Sequence, residues 1–237
     1  FPDSPYFAGY RALTTNGIHL PVLNAFKLLA GLKGARLPVM SSGARALDDL
    51  LANGVRREPD VDALAAKDGD RIQILVWNYH DDLVDAEPAP VTLNVSVPPA
   101  FGANAAVTHT RVDHEHGDAF TVWVSQGSPA TPSAAQLTAL KKAMEPVVLE
   151  RERVVSAADG AVSLSFDLPR FGMSLLTLAP SKASTHDATG ASNSDCSCHL
   201  SENGRTRLPA LFSCLLAVAL ARRRRCVERT RARNPAE

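Results

Sequence analysis

Cysteine is absent from the first 195 residues, and all four, Cys196, Cys198, Cys214 and Cys226, lie near the carboxyl end. Whatever folds ahead of them is held without a disulfide, even in an oxidising compartment. A phosphate-cradling loop and a Gly-x-Gly-x-x-Gly fingerprint are both missing. No Gly-x-Ser-x-Gly elbow occurs, and Ser41-Ser42-Gly43 lacks the strand–turn–helix setting that exposes a nucleophile, so a serine-hydrolase reading fails. The longest mostly apolar run, residues 208–221, would extend about 21 Å as a helix, short of the roughly 30 Å hydrocarbon core of a bilayer. The chain opens on Phe1, with neither a basic n-region nor an apolar h-region behind it, and the natural amino terminus is expected further upstream.

The 237 residues carry no formal net charge, but the balance is uneven. Residues 1–180 hold 15 basic and 20 acidic side chains, and residues 181–237 hold 10 and 5. An acidic body without a basic stripe offers nothing to a phosphate backbone, and no nucleic-acid partner is expected. The length allows one good-sized core.

The pattern along the chain begins with a helix. Pro21 pre-sets φ for a first turn, and Val22, Phe26, Leu29 and Ala30 recur at helical spacing until Gly31 and Gly34. So short a helix is marginal alone, and this stripe must lean on a neighbouring layer or stand exposed. From residue 37 onward short runs alternate with turn residues. Strands are predicted at 71–79, 91–97, 106–112, 120–124, 147–155, 161–166 and 174–178. Lys67-Asp-Gly-Asp70 and Ala158-Asp-Gly-Ala161 supply turn signals. Ser133 and Gln136 form a capping box for a helix with Leu137, Leu140 and Met144 on its apolar face, expected across an end or edge of the sheets. A shorter helix is predicted near residues 48–51. Seven short strands with frequent turns favour a mainly β fold, an antiparallel sandwich.

Three segments add a resemblance. Arg111-Val-Asp-His-Glu-His-Gly-Asp-Ala-Phe-Thr-Val-Trp123, followed by Val124-Ser-Gln-Gly-Ser-Pro129, resembles a stretch of family 39 of the glycoside hydrolases, which holds β-xylosidases and α-L-iduronidases. Tyr6-Phe-Ala-Gly-Tyr-Arg11, Thr15-Asn-Gly-Ile18 and Leu20-Pro-Val-Leu-Asn-Ala-Phe-Lys27 resemble that family's passage from the last strand to the last helix of a (β/α)8 barrel. Ser163-Leu-Ser-Phe-Asp-Leu-Pro-Arg170 and Ser174-Leu-Leu-Thr-Leu178 are similar to its closing strands. The resemblance implies a barrel remnant over residues 1–35 and a β-sandwich over 36–180. It also implies a parent enzyme that hydrolyses glycosides with retention, using two barrel glutamates. Residues 1–35 contain Asp3 as their sole carboxylate and no glutamate, so no catalytic residue is assigned and this piece is expected to be inactive. No cofactor or metal is implied.

Two clusters invite other readings. His109, Asp113, His114, Glu115, His116 and Asp118 are ligand types for zinc, but they read first as a polar loop near the sandwich edge. Trp77-Asn-Tyr-His80-Asp-Asp82 has the composition to stack on and hydrogen-bond a sugar, while its plainer reading is a buried tryptophan before a solvated turn. Phe120 and Trp123 read as core.

The tail has its own logic. Residues 181–207 are small and polar, a disordered linker carrying Cys196 and Cys198. A short hydrophobic helix then leads into Arg222, Arg223, Arg224 and Arg225, and a basic tail fills 226–237. This order of parts resembles the myxobacterial carboxyl-terminal sorting signal, which implies processing near Cys196 or Cys198, arginines held on the cytoplasmic side of the membrane, and a domain attached to the cell surface. Zinc binding by Cys196, Cys198 and His199 lacks a well-spaced fourth ligand. The alternative to an enzyme part is a non-catalytic, surface-displayed carbohydrate-binding or structural sandwich.

Overall fold

The first elements in a computed structural model of the chain are a two-residue ladder, β1 (Thr14–Thr15) with β2 (Ile18–His19), and helix α1 (Pro21–Leu29). The structure describes residues 6, 7, 12–84 and 86–181. Cys196, Cys198 and Arg222 to Arg225, expected to form a sorting signal, lie with residues 182–237 outside the described residues. Next come β3 (Ala35–Leu37), α2 (Leu47–Asn53), β4 (Asp60–Asp68), β5 (Arg71–Tyr79) and β6 (Ala89–Ser96). After a 3-10 turn at Pro99–Phe101, β7 (Asn104–Val112), α3 (Ala119–Ser125) and α4 (Ala134–Ala143) precede β8 (Val147–Ser156), β9 (Ala161–Leu168) and β10 (Met173–Pro180).

The strands form the antiparallel, mainly β architecture expected, with very unequal layers. One sheet has six strands in the order β3-β4-β5-β10-β7-β8, and the other pairs β6 with β9. Side chains alternate across each strand. Ile72, Ile74 and Val76 of β5, Val107 of β7, and Leu176 and Leu178 of β10 thus meet Val91, Val162, Leu164 and Leu168 of the small sheet in one core. Each such side chain withdrawn from water stabilises the fold by about 1.5–3 kcal/mol before entropy is set against it.

On the outer face of the large sheet, α1 packs against the central strands β5, β10 and β7. Leu28 is buried against Leu75 and Val112. The helix runs where Pro21 predicts, but its buried face is different. Asn24 and Leu28 are the buried positions, while Val22, Phe26 and Leu29, the predicted stripe, are 43%, 55% and 42% exposed. The helix therefore both leans on the sandwich and presents an apolar face outward.

Residues 120–124 correct the expectation of a strand, since they lie in α3. Asp118 caps that helix: its Oδ1 accepts from the backbone N–H of Phe120 at 2.9 Å and of Thr121 at 3.4 Å, and its Oδ2 from the Thr121 hydroxyl at 2.7 Å. A capped first turn, with Ala119 and Trp123 buried four residues apart, outweighs the β propensity of Phe-Thr-Val-Trp-Val. Helix α4 begins at its capping box, with Ser133 N–H donating to Gln136 Oε1 at 2.9 Å and Gln136 N–H to Ser133 Oγ at 3.4 Å. Leu140 packs with Trp123, Ile18, Tyr6 and Phe7 in a second core, flanked by Leu137, Met144 and Phe120. Trp123 and Phe120 thus belong to a core, as read.

Strands β3 and β4 went unpredicted. Asp-Val-Asp-Ala-Leu-Ala-Ala-Lys-Asp is poor in β-forming residues and is held by its neighbours, with Asp68 opposite Arg71 across the Asp-Gly turn. At the far edge, the β7–β8 ladder breaks register twice, between Val107 and His109 and between His109 and Thr110. Glu152 there has φ +50°, a bulged position.

Candidate functional site

Three clusters of polar or aromatic side chains stand out, and each is built by a different pair of elements. The first joins α1 to the turn after β7. Asn24 Nδ2 donates to the Gly117 carbonyl at 2.7 Å and to the Met144 carbonyl at 2.8 Å. Beside it, Lys27 Nζ donates to Glu145 Oε2 at 2.6 Å, and His19 Nδ1 lies 3.0 Å from Glu145 Oε1. The Lys27 hydrogen bond holds the Glu145 carboxyl below its usual range. Gly117 has φ +71°, and a Cβ there would sit 3.3 Å from Asn24 Nδ2 and the Glu145 carbonyl, so this turn favours glycine on both counts.

The second cluster closes one end of the sandwich core. His109 Nε2 lies 2.9 Å from the hydroxyl of Ser174, which also accepts from Arg111 Nε at 3.1 Å. Arg111 Nη2 donates to the Asp167 carbonyl, and its guanidinium lies 5.5 Å from the centre of the Phe166 ring. Burial, then the Arg111 charge, lower the His109 pKa to about 4, so the ring is neutral at pH 7. Ser174 is fully buried; a hydroxyl without access to substrate is a structural partner and no nucleophile.

The third cluster is open. Trp77 and Tyr79 project from the outer face of β5, just beyond the first turn of α1, into a groove of roughly 410 Å³. Trp77 Nε1 donates to Asp60 Oδ2 at 2.9 Å, and Asp60 Oδ1 accepts from the Arg45 N–H at 2.8 Å. Phe171 meets Tyr79 edge to face, ring centres 6.5 Å apart. Partial burial, then the neighbouring Asp81 carboxylate, push the Tyr79 phenol up. Trp77 is half-buried in the groove wall, which amends its reading as a buried core residue. His80 turns inward, its Nδ1 accepting from the Asp82 N–H at 3.0 Å, and the turn beyond it is exposed as expected.

Several acidic side chains are held by partners of their own fold, although the buried Asp113 Oδ2 accepts no hydrogen bond and has Arg111 Nε at 3.9 Å. Asp113 Oδ1 accepts from the N–H groups of Glu115 and His116 and from His116 Nδ1, all within 2.8 Å. Asp118 is a helix cap, and Asp81 Oδ2 accepts from the Val55 N–H at 2.8 Å. Among the described residues, no group of three or more His, Cys, Asp or Glu is placed to hold a metal ion. His109 is in the core and His114 is exposed, so the ligand types that sit close in sequence face different surroundings.

The profile of glycosyl hydrolases family 39 matches residues 1–162, more than half of the chain. The chain belongs to that family. It is 26% identical over 166 residues to a β-xylosidase of Caldicellulosiruptor saccharolyticus, an alignment covering 69% of this chain and 30% of that one. Its fold is similar to a GH39 enzyme from Xanthomonas axonopodis pv. citri, with TM-score 0.59 and 23% identity over 76% of this chain and 34% of that chain. It is also similar to a monomeric β-xylosidase from Caulobacter crescentus CB15, with TM-score 0.57 and 21% identity over the same shares. The chain thus spans about a third of the length of these relatives.

In this family 39 chain, the Arg111–Pro129 stretch that carries the resemblance has a physical task. It supplies Arg111 and Asp113 at the core's end, Gly117 against Asn24, the Asp118 cap and the Trp123 anchor. Sequence reasoning missed Asp60 and Phe171 as neighbours of Trp77. The Trp77, Tyr79 spacing marks one strand face, but nothing local ties it to residues 60 and 171.

Proposed function

We propose that this chain is the carboxyl-terminal part of a β-xylosidase-like glycoside hydrolase that cleaves O-glycosidic bonds with retention, and that the piece itself does not catalyse the reaction. Retention requires two carboxyl groups about 5 to 5.5 Å apart, one protonating the leaving oxygen and one attacking the anomeric carbon. The observation that carries the reading is the family 39 match of a chain that spans about a third of its relatives' length. It is supported by the engagement of Asp60, Asp81 and Asp118, and of Asp113 through Oδ1, with partners of their own fold. Residues 1–35 add only Asp3. A missing general acid costs about 10² to 10⁴ in rate by itself, and without the nucleophile no covalent intermediate forms.

The outward apolar face of α1 supports the same reading, because Val22, Phe26 and Leu29 suit the wall of a (β/α)8 barrel of which α1 would be the last helix. An aryl β-xyloside assay tests it. The 237-residue chain gives no turnover, whereas a longer polypeptide carrying the barrel turns over; release of the aryl alcohol by the purified chain would overturn the reading. We also propose surface attachment through Cys196, Cys198 and the residues 208–225. Its support is the order of cysteine pair, apolar run and arginine cluster. A fusion bearing residues 181–237 is expected in the membrane fraction or cleaved near the cysteines, and a freely soluble, uncleaved product contradicts it.

A further inference from the structure

We infer that the groove walled by Trp77, Tyr79 and Phe171 is a sugar-binding subsite for the glycan chain, remote from the bond that is cleaved. Its walls are aromatic faces and edges, which suit the C–H face of a pyranose. The buried Asp60 carboxylate, fixed by the Arg45 N–H, holds the Trp77 indole at 2.9 Å and so sets the orientation of that ring in the groove wall. Aromatic walls with a few placed polar groups, and a volume of roughly 410 Å³, fit one or two sugar rings. Tyr79 and Phe171 are 47% and 41% exposed in this chain.

Phe171 is held at the groove by its own backbone. Its φ is +63°, a region that suits glycine and is uncommon for a bulky side chain. The turn around it is fastened on all sides. The Phe171 N–H donates to the Asn78 carbonyl at 2.8 Å, the Asn78 N–H to the Gly172 carbonyl at 3.1 Å, and Asn78 Nδ2 to the Leu168 carbonyl at 2.9 Å. A strained residue held this firmly keeps its ring at the groove whether or not a ligand is present, which is preorganisation.

The groove's position points to a glycan. It opens beside Pro21 and Val22, the first residues of α1. A barrel helix starts on the side where its preceding strand ends, the face on which (β/α)8 active sites lie. An oligosaccharide leaving a catalytic cleft on that face would meet this platform. The inference rests on the proposed place of α1 in a barrel, but binding is measured without catalysis, so the two fail separately.

Titration of the isotope-labelled chain with xylotetraose, followed by NMR, tests it. The indole N–H of Trp77 is expected to shift saturably in the millimolar range, while that of Trp123, bonded to the Pro129 carbonyl in the second core, stays in place. Tyr79→Ala and Phe171→Gly each weaken binding by about tenfold. Phe171→Gly relieves the backbone strain but adds unfolded-chain entropy and loses the Tyr79 contact, so the melting temperature of each variant is measured alongside and binding is compared only where the fold persists. An unmoved Trp77 resonance, or undiminished binding by Phe171→Gly, overturns the subsite. If the Trp77 resonance instead follows protein concentration alone, the groove is a self-association surface and the inference is likewise overturned. Turnover of an aryl xyloside by the chain would sink the proposed function and leave this result standing.

Discussion

Asn24 reaches across 93 residues of sequence to Gly117, its side-chain amide donating to that carbonyl at 2.7 Å, and so ties α1 to the turn that follows β7. The same amide serves the Met144 carbonyl at the end of α4. One polar side chain thus joins three segments that hydrophobic contact alone would leave free to slide.

Asn24→Ala removes both bonds and strands two carbonyls at a buried junction. The expected loss is about 2–3 kcal/mol, since each buried polar group left unpartnered costs on the order of 1–3 kcal/mol and part of this is recovered by water entry. Urea unfolding of variant and parent reads it as a lower midpoint at unchanged slope. A loss under 0.5 kcal/mol would show that the clamp contributes little.

The two faces of α1 predict opposite responses. Leu28→Ala opens a cavity against Leu75 and Val112 and is expected to cost about 2–4 kcal/mol. Phe26→Ser changes an exposed side chain and stays within about 0.5 kcal/mol. Were Phe26→Ser the more damaging, the outward face of the helix would have to be covered within this chain.

His109 makes stability depend on acidity. In the fold its pKa is about 4, below the unfolded value of 6.5, so the native state favours the neutral ring. Above pH 6.5 neither state is protonated and nothing is lost. As the pH falls from 6.5 toward 4 the unfolded chain binds a proton that the folded chain resists, and stability drops by about 2 kcal/mol once solvent screening is allowed for. Arg111 and Arg153 oppose the charge, as does His116, and Glu150 partly favours it. His109→Gln should flatten this part of the curve in thermal melts between pH 4 and 7; an unchanged slope would assign the acid sensitivity to other groups.

Asp118→Ala removes the cap of α3 and is expected to cost about 1 kcal/mol. Asp118→Asn, which keeps an acceptor oxygen, should recover most of it. The pair separates loss of the cap from a general intolerance at this position, and the melting temperature is the readout.

What could be read from the sequence follows the locality of each signal. β5 and β9 are legible because apolar β-formers alternate or run together within the strand itself. α4 is legible because Ser133 and Gln136 announce its first turn. β4 is not, because its Ala-Leu-Ala-Ala centre becomes a strand only between β3 and β5. Asp118 ahead of Ala119 was an available helix signal, and the β-branched and aromatic residues after it concealed it. The buried face of α1 could not be seen at all, because Asn24 is buried for the sake of carbonyls 93 and 120 residues away. The groove is half legible: Trp77 and Tyr79 share a strand face, and only the fold brings Asp60 and Phe171 to them.

The two borders of the large sheet bear on how this polypeptide behaves in crowded solution. One border is β3, a mere three residues long, and the other is β8, with its two breaks in register and the left-handed Glu152. Neither offers a straight, uninterrupted row of donors and acceptors for a stranger's backbone to copy, so fibrous growth by strand addition is denied a template at both ends of the layer.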